Sequence, residues 1–490
     1  MTPAFAKLKP YLEKARRLHY LVSLLNYDMA TCCPEKSLEE IASLLTEYDT
    51  ELASISKDPE FIVLVKSLQN EPSLSDMERR LVDRELETIE YMEKLTPEEY
   101  GAMRQAYTKS NEMWRLYKGK SDFASWLPYW EKCVEAKKKE LRLKQKEGES
   151  LYDVCLRTYE PGSSEAAIDA VFEPLKKYLI AKIPEALKAQ EAMPKPYLPS
   201  FPKYKQEALS YAVLRTIGYD ITRGALRESE HPFSDNLSIN DARITTHYDE
   251  FDYRSSLFSV IHEGGHAIEF QGWPKEQYDE YVDGYSTAAI CETHSRFYEN
   301  LLARSRDFIP TLRKLLTENL SPEFSSLSDD EIYAISNSVK PIPNRCDSDE
   351  LTYSLHIIIR YEVEKELING RIECKDVPAL WNKKYKEYLG VDVPNDKEGC
   401  MQDIHWTDGE FGYFPSYALG NIYGAMILNE MKKTVDVSAC LTSGHLEPIK
   451  AWLAKNDFPY TYLTPDKWIL KVTGRSMDAQ DFIDYLNSKY

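Results

Sequence analysis

The sequence predicts a mostly α-helical protein: a large helical body with a central cleft and a short β-sheet beside one buried helix. Three observations predict it. Apolar residues recur at three- and four-residue steps along most of the 490 residues. Strand-like alternation is scarce and concentrates in "NLSINDARITTHYDEFD", Asn236 to Asp252. Just downstream, "SVIHEGGHAIEF" (Ser259 to Phe270) combines helical flanks with two histidines four residues apart.

Taken in order, "ERRLVDRELETIEYMEKL" (Glu78 to Leu95) carries a helical apolar stripe. The run Lys137-Lys138-Lys139 through Lys146 is interrupted by glutamate and has leucines at helical spacing, so it reads as a solvated helix face. Pro161-Gly162-Ser163-Ser164 before Glu165 reads as a turn and a helix start. The prolines of "MPKPYLPSFP" (Met193 to Pro202) make a stiff connector. It divides an N-terminal helical region, 1–200, which caps the cleft, from a region at 201–490 that holds the site, the two forming one continuous fold. Downstream, Val282 to Ser305 is strongly helical, and Leu351 to Gly370 is a helix with Gly370 just past its end.

Composition excludes several classes. A formal net charge of −19 argues against nucleic acid or an anionic membrane as the main partner. No stretch reaches the roughly 18 apolar residues of a membrane span, and the N-terminus lacks a signal core. The nine cysteines form no Cys-x-x-Cys pair, and Cys32-Cys33 are adjacent, which fits a reducing cytoplasm.

His262 and His266 project from one helix face a turn apart, with Glu263 about 100° round. This His-Glu-x-x-His pattern holds zinc with two imidazoles and uses the glutamate to activate water. A catalytic zinc needs a third protein ligand and an open position. Glu269 shares the face, but it lies about 10.5 Å along the axis from His262. The ligand therefore comes from a second helix, where spacing leaves Glu292, His294 and Glu299 open. The pair Gly264-Gly265 costs the helix roughly 1 kcal/mol per residue relative to alanine. The sacrifice predicts a close approach by the second helix or by substrate.

With these residues in place, the sequence resembles the carboxypeptidase Taq family of zinc metallocarboxypeptidases. The resemblance rests on His231-Pro232-Phe233, Asp241-Ala242-Arg243-Ile244-Thr245, His262 to His266, Gly399 to Trp406 ("GCMQDIHW") and Gly412 to Asn421 ("GYFPSYALGN"). It implies release of single C-terminal amino acids from peptides, zinc (or cobalt or manganese) on His262, His266 and Glu292, and Glu263 as general base and acid. It further implies His405 and Tyr413 as oxyanion donors, with Tyr417 as a fallback. Arg345 is the implied clamp for the substrate carboxylate, with an ion pair to Asp347 or Asp349 as its alternative. Asp241 and Arg243 either orient substrate or form a structural ion pair, and His231 either helps close the pocket or is structural. A homodimer is implied too. His19, His247, His356 and His445 read as structural or surface residues.

The sequence departs from the family pattern at Cys291 and His294 around the third ligand, at Asn344 and Ser348 around Arg345, and at Tyr27. Two other functions follow if those departures matter: an endo-acting zinc oligopeptidase, or a catalytically impaired metal-binding homologue.

Overall fold

Helix starts explain most of the N-terminal architecture. Ser75 with Glu78, Thr96 with Glu99 and Ser150 with Asp153 each form a reciprocal capping box. They open the helices Asp76–Glu93, Pro97–Lys118 and Leu151–Tyr159, while Ser164 caps Glu165–Gln190. The structure is a computed structural model describing residues 1–195, 198–279 and 286–490. Pro196 and Tyr197 of the predicted connector, and Val282 to Tyr285 of the predicted helix, lie outside the described residues. Among the described residues, no helix is long and apolar enough to cross a membrane.

Among the described residues, most buried apolar side chains fall into two clusters. The smaller draws on Phe5, Leu8, Phe61, Leu81 and Ile89. The larger runs from Tyr107 to Leu486 and includes the stacked Trp126 and Trp130, whose ring centroids lie 5.0 Å apart. The basic run is not wholly solvated, because Lys137 is buried and pairs with Glu140 at 3.4 Å. Lys144 joins the same carboxylate at 2.7 Å, whereas Lys139 reaches Glu99 in the open. The stripe of Phe123–Lys144 thus turns part of its charged face inward.

The sheet is small: β1 (Leu226–Glu228), β2 (Ser234–Ser238) and β3 (Asp241–Thr246) in the order β1-β3-β2. β1 runs parallel to β3 and β2 antiparallel, with a register shift between Asn236 and Ser238. One face of the sheet packs on the helix Tyr253–Gly272, hereafter the histidine helix. Helix Lys9–Thr31 packs on β2, and its Tyr27 hydroxyl donates to the Ile244 carbonyl at 3.2 Å. The histidine helix buries residues all round its circumference, as a central core helix must.

Candidate active site

The histidine helix starts at Asp252, whose side chain accepts the Arg254 N–H, and presents His262 and His266 on one face. The two glycines between them serve different neighbours. A Cβ on Gly265 would lie 2.6 Å from the carbonyl oxygen of His294 and 2.8 Å from the Ser295 Cα. A Cβ on Gly264 would instead meet Ile217 and Leu214 side chains of the helix Lys203–Ile217. Close approach is therefore by helices on both counts, and the one at Gly265 is the second helix of the site.

That helix, Ala288–Arg296, is squeezed from its other side too. A Cβ on Gly420 of the helix Pro415–Met431 would lie 2.8 Å from the Glu292 carbonyl carbon. Glycine on both flanks sets the depth at which Glu292 sits. The helix N-terminus is held by Thr287 and by the buried Glu160, whose Oε1 accepts the Ala289 N–H at 2.7 Å and the Ser416 hydroxyl at 2.6 Å. Burial pushes the Glu160 carboxyl up to about 7 against those hydrogen bonds.

His262, His266 and Glu292 offer ligand atoms all within 4.8 Å of one another. His262 Nε2 is 3.7 Å from Glu292 Oε2, close to the roughly 3.3 Å edge expected between donors held about 2 Å from one tetrahedral ion. The donor set fits a divalent metal in a second respect: the His266 Nδ1 is buried and, among the described residues, no hydrogen bond reaches it. Burial also lowers the pKa of His266 to about 4, which keeps it neutral as a ligand must be. Glu299, open as a ligand on spacing, instead accepts from His262 Nδ1 at 2.9 Å and so orients that ring. It lies in the π-helical continuation Phe297–Ala303, paired with Arg296 at 3.3 Å and Arg304 at 3.0 Å. Burial disfavours its charge, but these cations and His262 outweigh burial and hold Glu299 far below the usual carboxylate range.

His294 and Glu269 also resolve. His294 is fully buried between Glu269 and Asp457, at 2.8 Å from each through its two ring nitrogens. Burial opposes its charge, but the two carboxylates win and raise its pKa to about 10. The departure at 294 is thus a salt-bridged strut behind the site, and Glu269 belongs to it. Glu263 is buried, and burial, tempered by His262 and a Ser234 hydrogen bond, lifts its pKa to about 7. Ser234 follows directly on the His231-Pro232-Phe233 motif, a proximity that local periodicity does not reveal.

Facing these helices are Arg345, the loop from Gln402 to Phe414, and Tyr417 in the first turn of the helix Pro415–Met431. Arg345 pairs with Asp403, not with Asp347 or Asp349: its Nε donates to Oδ1 at 2.7 Å. The other oxygen of Asp403 takes Arg360, and Gln402 accepts the Arg345 backbone N–H. Both terminal nitrogens of Arg345 are without a hydrogen-bond partner among the described residues. The departed Asn344 and Ser348 build the turn that carries Arg345, Asn344 accepting the Cys346 N–H and Ser348 donating to the Arg345 carbonyl. Asp349 caps the next helix, Glu350–Ile368, through the Thr352 N–H.

His405 stacks on Tyr413 with centroids 5.3 Å apart, and Tyr417 meets Tyr413 edge-on at 5.1 Å. Burial, opposed by Asp403 and helped by Arg345 and Arg360, lowers His405 to a pKa of about 4. Burial, then the charge of Glu292, raises the Tyr413 hydroxyl. The two sides are close: the Arg345 guanidinium lies 5.0 Å from the Tyr417 ring, and Arg296 covers Tyr353 at 4.3 Å while standing 3.8 Å from Glu292. A cavity of about 970 Å³ opens between the helix Asp76–Glu93 and Tyr159, Ser286 and Thr287, and Tyr159 packs edge-on against Tyr413 at 5.2 Å.

The other predicted residues stand apart from this cluster. Asp241 and Arg243 satisfy each other through two 2.8 Å contacts, and Asp241 also takes the Tyr20 hydroxyl. His231 is exposed on the turn between β1 and β2. His356 is buried on Tyr385, and His19, His247 and His445 are exposed. Asp403 and Glu299 are the residues that the motif reading did not single out for the positions they hold.

Over nearly its whole length the chain is similar to known proteins. The profile of the family described as carboxypeptidase Taq (M32) metallopeptidase matches residues 7–490. Carboxypeptidase 1 of Bacillus subtilis is 34% identical over 489 residues, spanning 98% of this chain and 97% of its own. Thermostable carboxypeptidase 1 of Pyrococcus furiosus is 30% identical, spanning 99% of this chain and 98% of its own. An M32 carboxypeptidase from Deinococcus radiodurans, at 26% identity, superposes with a TM-score of 0.94 over 100% of this chain and 99% of its own.

Proposed function

The chain belongs to the carboxypeptidase Taq (M32) family and is a metallocarboxypeptidase, and on that premise we propose which residues do the work. His262, His266 and Glu292 hold the metal, zinc in our reading, with cobalt or manganese able to occupy the same donors. When bound, the metal supplies a Lewis acid and makes water acidic enough to lose a proton near neutral pH. Glu263 takes that proton on its carboxylate and delivers it to the departing amine. Ser234 steadies the carboxylate, and Glu299 holds the His262 ring in one tautomer. Arg345 offers its two unpartnered terminal nitrogens to the substrate carboxylate, a planar fork matched to a planar anion. His405 and Tyr413 donate to the carbonyl oxygen as charge grows on it. Asp241, Arg243 and His231 have the weaker claim to substrate, since the first two are already paired with each other.

One observation carries this reading: a three-donor cluster stands a few side chains from an arginine whose fork is free. The same fork argues against an endo-acting peptidase, which has no terminal carboxylate to bind. Assembly as a homodimer and residence in the cytoplasm belong to the proposal, the latter because all nine cysteines are free thiols. The test compares a blocked dipeptide with its amidated twin, using metal-loaded protein and the Glu263→Gln variant. We expect hydrolysis of the free acid only, reduced roughly 10²- to 10⁴-fold in the variant with metal retained. Equal cleavage of the amide would sink the role of Arg345. Full activity in the variant would remove Glu263 as the base, and no turnover by the metal-loaded protein would leave a metal-binding homologue.

A further inference from the structure

Glu364 lies on the helix Glu350–Ile368, fully buried, and makes no hydrogen bond to His262, His266 or Glu292. Its carboxylate accepts three hydrogen bonds, and two come from the loop that carries His405 and Tyr413. Oε1 takes the Trp406 indole N–H at 2.5 Å. Oε2 takes the Gly412 backbone N–H at 2.8 Å and the Tyr152 hydroxyl at 2.7 Å. Trp406 directly follows His405, and Gly412 directly precedes Tyr413. One carboxylate thus pins the loop at both of the residues next to the two oxyanion donors.

Other hydrogen bonds also hold the loop, with Asp403 taking Arg345 and Arg360, Asn111 donating to Asp408 at 2.8 Å and the Trp130 indole to the Trp406 carbonyl at 3.2 Å, but Glu364 joins the two points beside His405 and Tyr413. Trp406 stacks on Trp130 at 5.9 Å and on Phe411 at 6.3 Å, and stacked rings tolerate sliding where charge-assisted hydrogen bonds do not. Gly412 has φ +89°, and a Cβ there would lie 2.6 Å from the Cys155 backbone, so the loop is pressed onto the helix Leu151–Tyr159 that supplies Tyr152. An apolar side chain would fill this core without the cost of burying a carboxylate. Burial in fact raises the Glu364 carboxyl to about 7 in spite of its three donors.

We infer that Glu364 is a positioning residue for the peptidase reaction, fixing where His405 and Tyr413 stand relative to the substrate carbonyl. The inference rests on the oxyanion role proposed for those two residues. In Glu364→Gln the amide keeps the size but turns an NH₂ toward a donor, so one end of the loop is released. In metal-loaded, full-length protein we expect kcat on a blocked dipeptide to fall roughly ten- to a hundredfold, the scale of an ångström-sized misplacement. KM should stay within about twofold and metal stoichiometry should not change, because Arg345 and the metal ligands are held by other residues. Tyr152→Phe removes one donor and keeps both loop bonds, so it should shift kcat in the same direction by less. If Glu364→Gln does not fold, Tyr152→Phe carries the test, and an unchanged kcat there would overturn the inference. Adding Glu364→Gln to a His405→Ala, Tyr413→Phe background should cost nothing more. A full further loss in that background would overturn the positioning role, as would an unchanged kcat in Glu364→Gln. Full activity in the His405→Ala, Tyr413→Phe protein would overturn the oxyanion assignment instead, which separates the two failures.

Discussion

The two sides of the site are built by different means. On the metal side, His262, His266, Glu292 and Glu299 stand on helical segments whose spacing is set by glycines at 265 and 420. On the side we propose for substrate, Arg345, His405 and Tyr413 stand on turns and a loop, held from beneath by the buried carboxylates of Asp403 and Glu364. Helix backbones fix ligand geometry through steric contact, which costs little and responds to a single methyl group. A loop has no such backbone lattice, so the side chains it presents need charge-assisted hydrogen bonds from a rigid helix to stay in place. Disturbing one side should therefore leave the other intact.

Asp403→Ala should break that comparison most forcefully. It strands Arg345 and Arg360, which share the carboxylate and are themselves buried or nearly so. Removing one member of a buried ion pair costs about 3–5 kcal/mol, and two cations are stranded here. We expect a large drop in the denaturant midpoint and a raised KM for free-acid peptides, with metal affinity unchanged in the folded fraction. Metal loss in parallel would mean that the two sides are not independent.

Glu160→Gln probes, through pH, the carboxyl that holds the N-terminus of the helix Ala288–Arg296. Glu160 has its carboxyl raised from an ordinary 4.5 to about 7 by burial. A raised folded-state pKa on an acid stabilises the native state fully below about pH 4.5. That contribution is lost as pH rises through 7, because the unfolded chain ionises first. The difference in stability between parent and variant should therefore change by something on the order of 3 kcal/mol across this window and be flat above it. Urea melts from pH 4.5 to 8 measure it, and a constant difference across the window would show that Glu160 does not titrate there.

How much of this was legible in the sequence follows the same division. The helical class, the sheet before the histidines, the helix ending before Gly370 and the His262–His266 face all rest on local periodicity and capping, which a sequence displays directly. Gly370 does adopt the left-handed conformation expected of it, at φ +76°. Spacing left Glu292, His294 and Glu299 open because a second helix can be rotated freely until its packing is known. The contact at Gly265 supplies that rotation. The ion pair offered as the alternative role of Arg345 fails for a related reason. Asp347 and Asp349 are near in sequence, but the turn built by Asn344 and Ser348 directs Arg345 towards Asp403, more than fifty residues on. Lys137 shows the same limit on the surface, since its burial depends on Glu140 and on the core beneath it.

Gly265→Ala and Gly264→Ala sharpen the comparison within a single helix turn. Both gain roughly 1 kcal/mol of helix propensity. At 265 the added methyl meets backbone, the His294 carbonyl oxygen at 2.6 Å and the Ser295 Cα at 2.8 Å, so the whole Ala288–Arg296 helix must shift. Overpacking of that kind costs about 1–3 kcal/mol, and it moves Glu292 away from the two histidines. Metal affinity, read by competition with a chelator, should fall while KM for the substrate carboxylate holds. At 264 the methyl meets only the ends of Ile217 and Leu214, at 2.8 and 3.0 Å, which can change rotamer. There the propensity gain offsets the crowding, stability should stay within about 1 kcal/mol, and metal affinity should not move. A reversed ranking, with 264 the costlier position, would mean that the site's spacing is set by the helix Lys203–Ile217 rather than by the helix that carries Glu292.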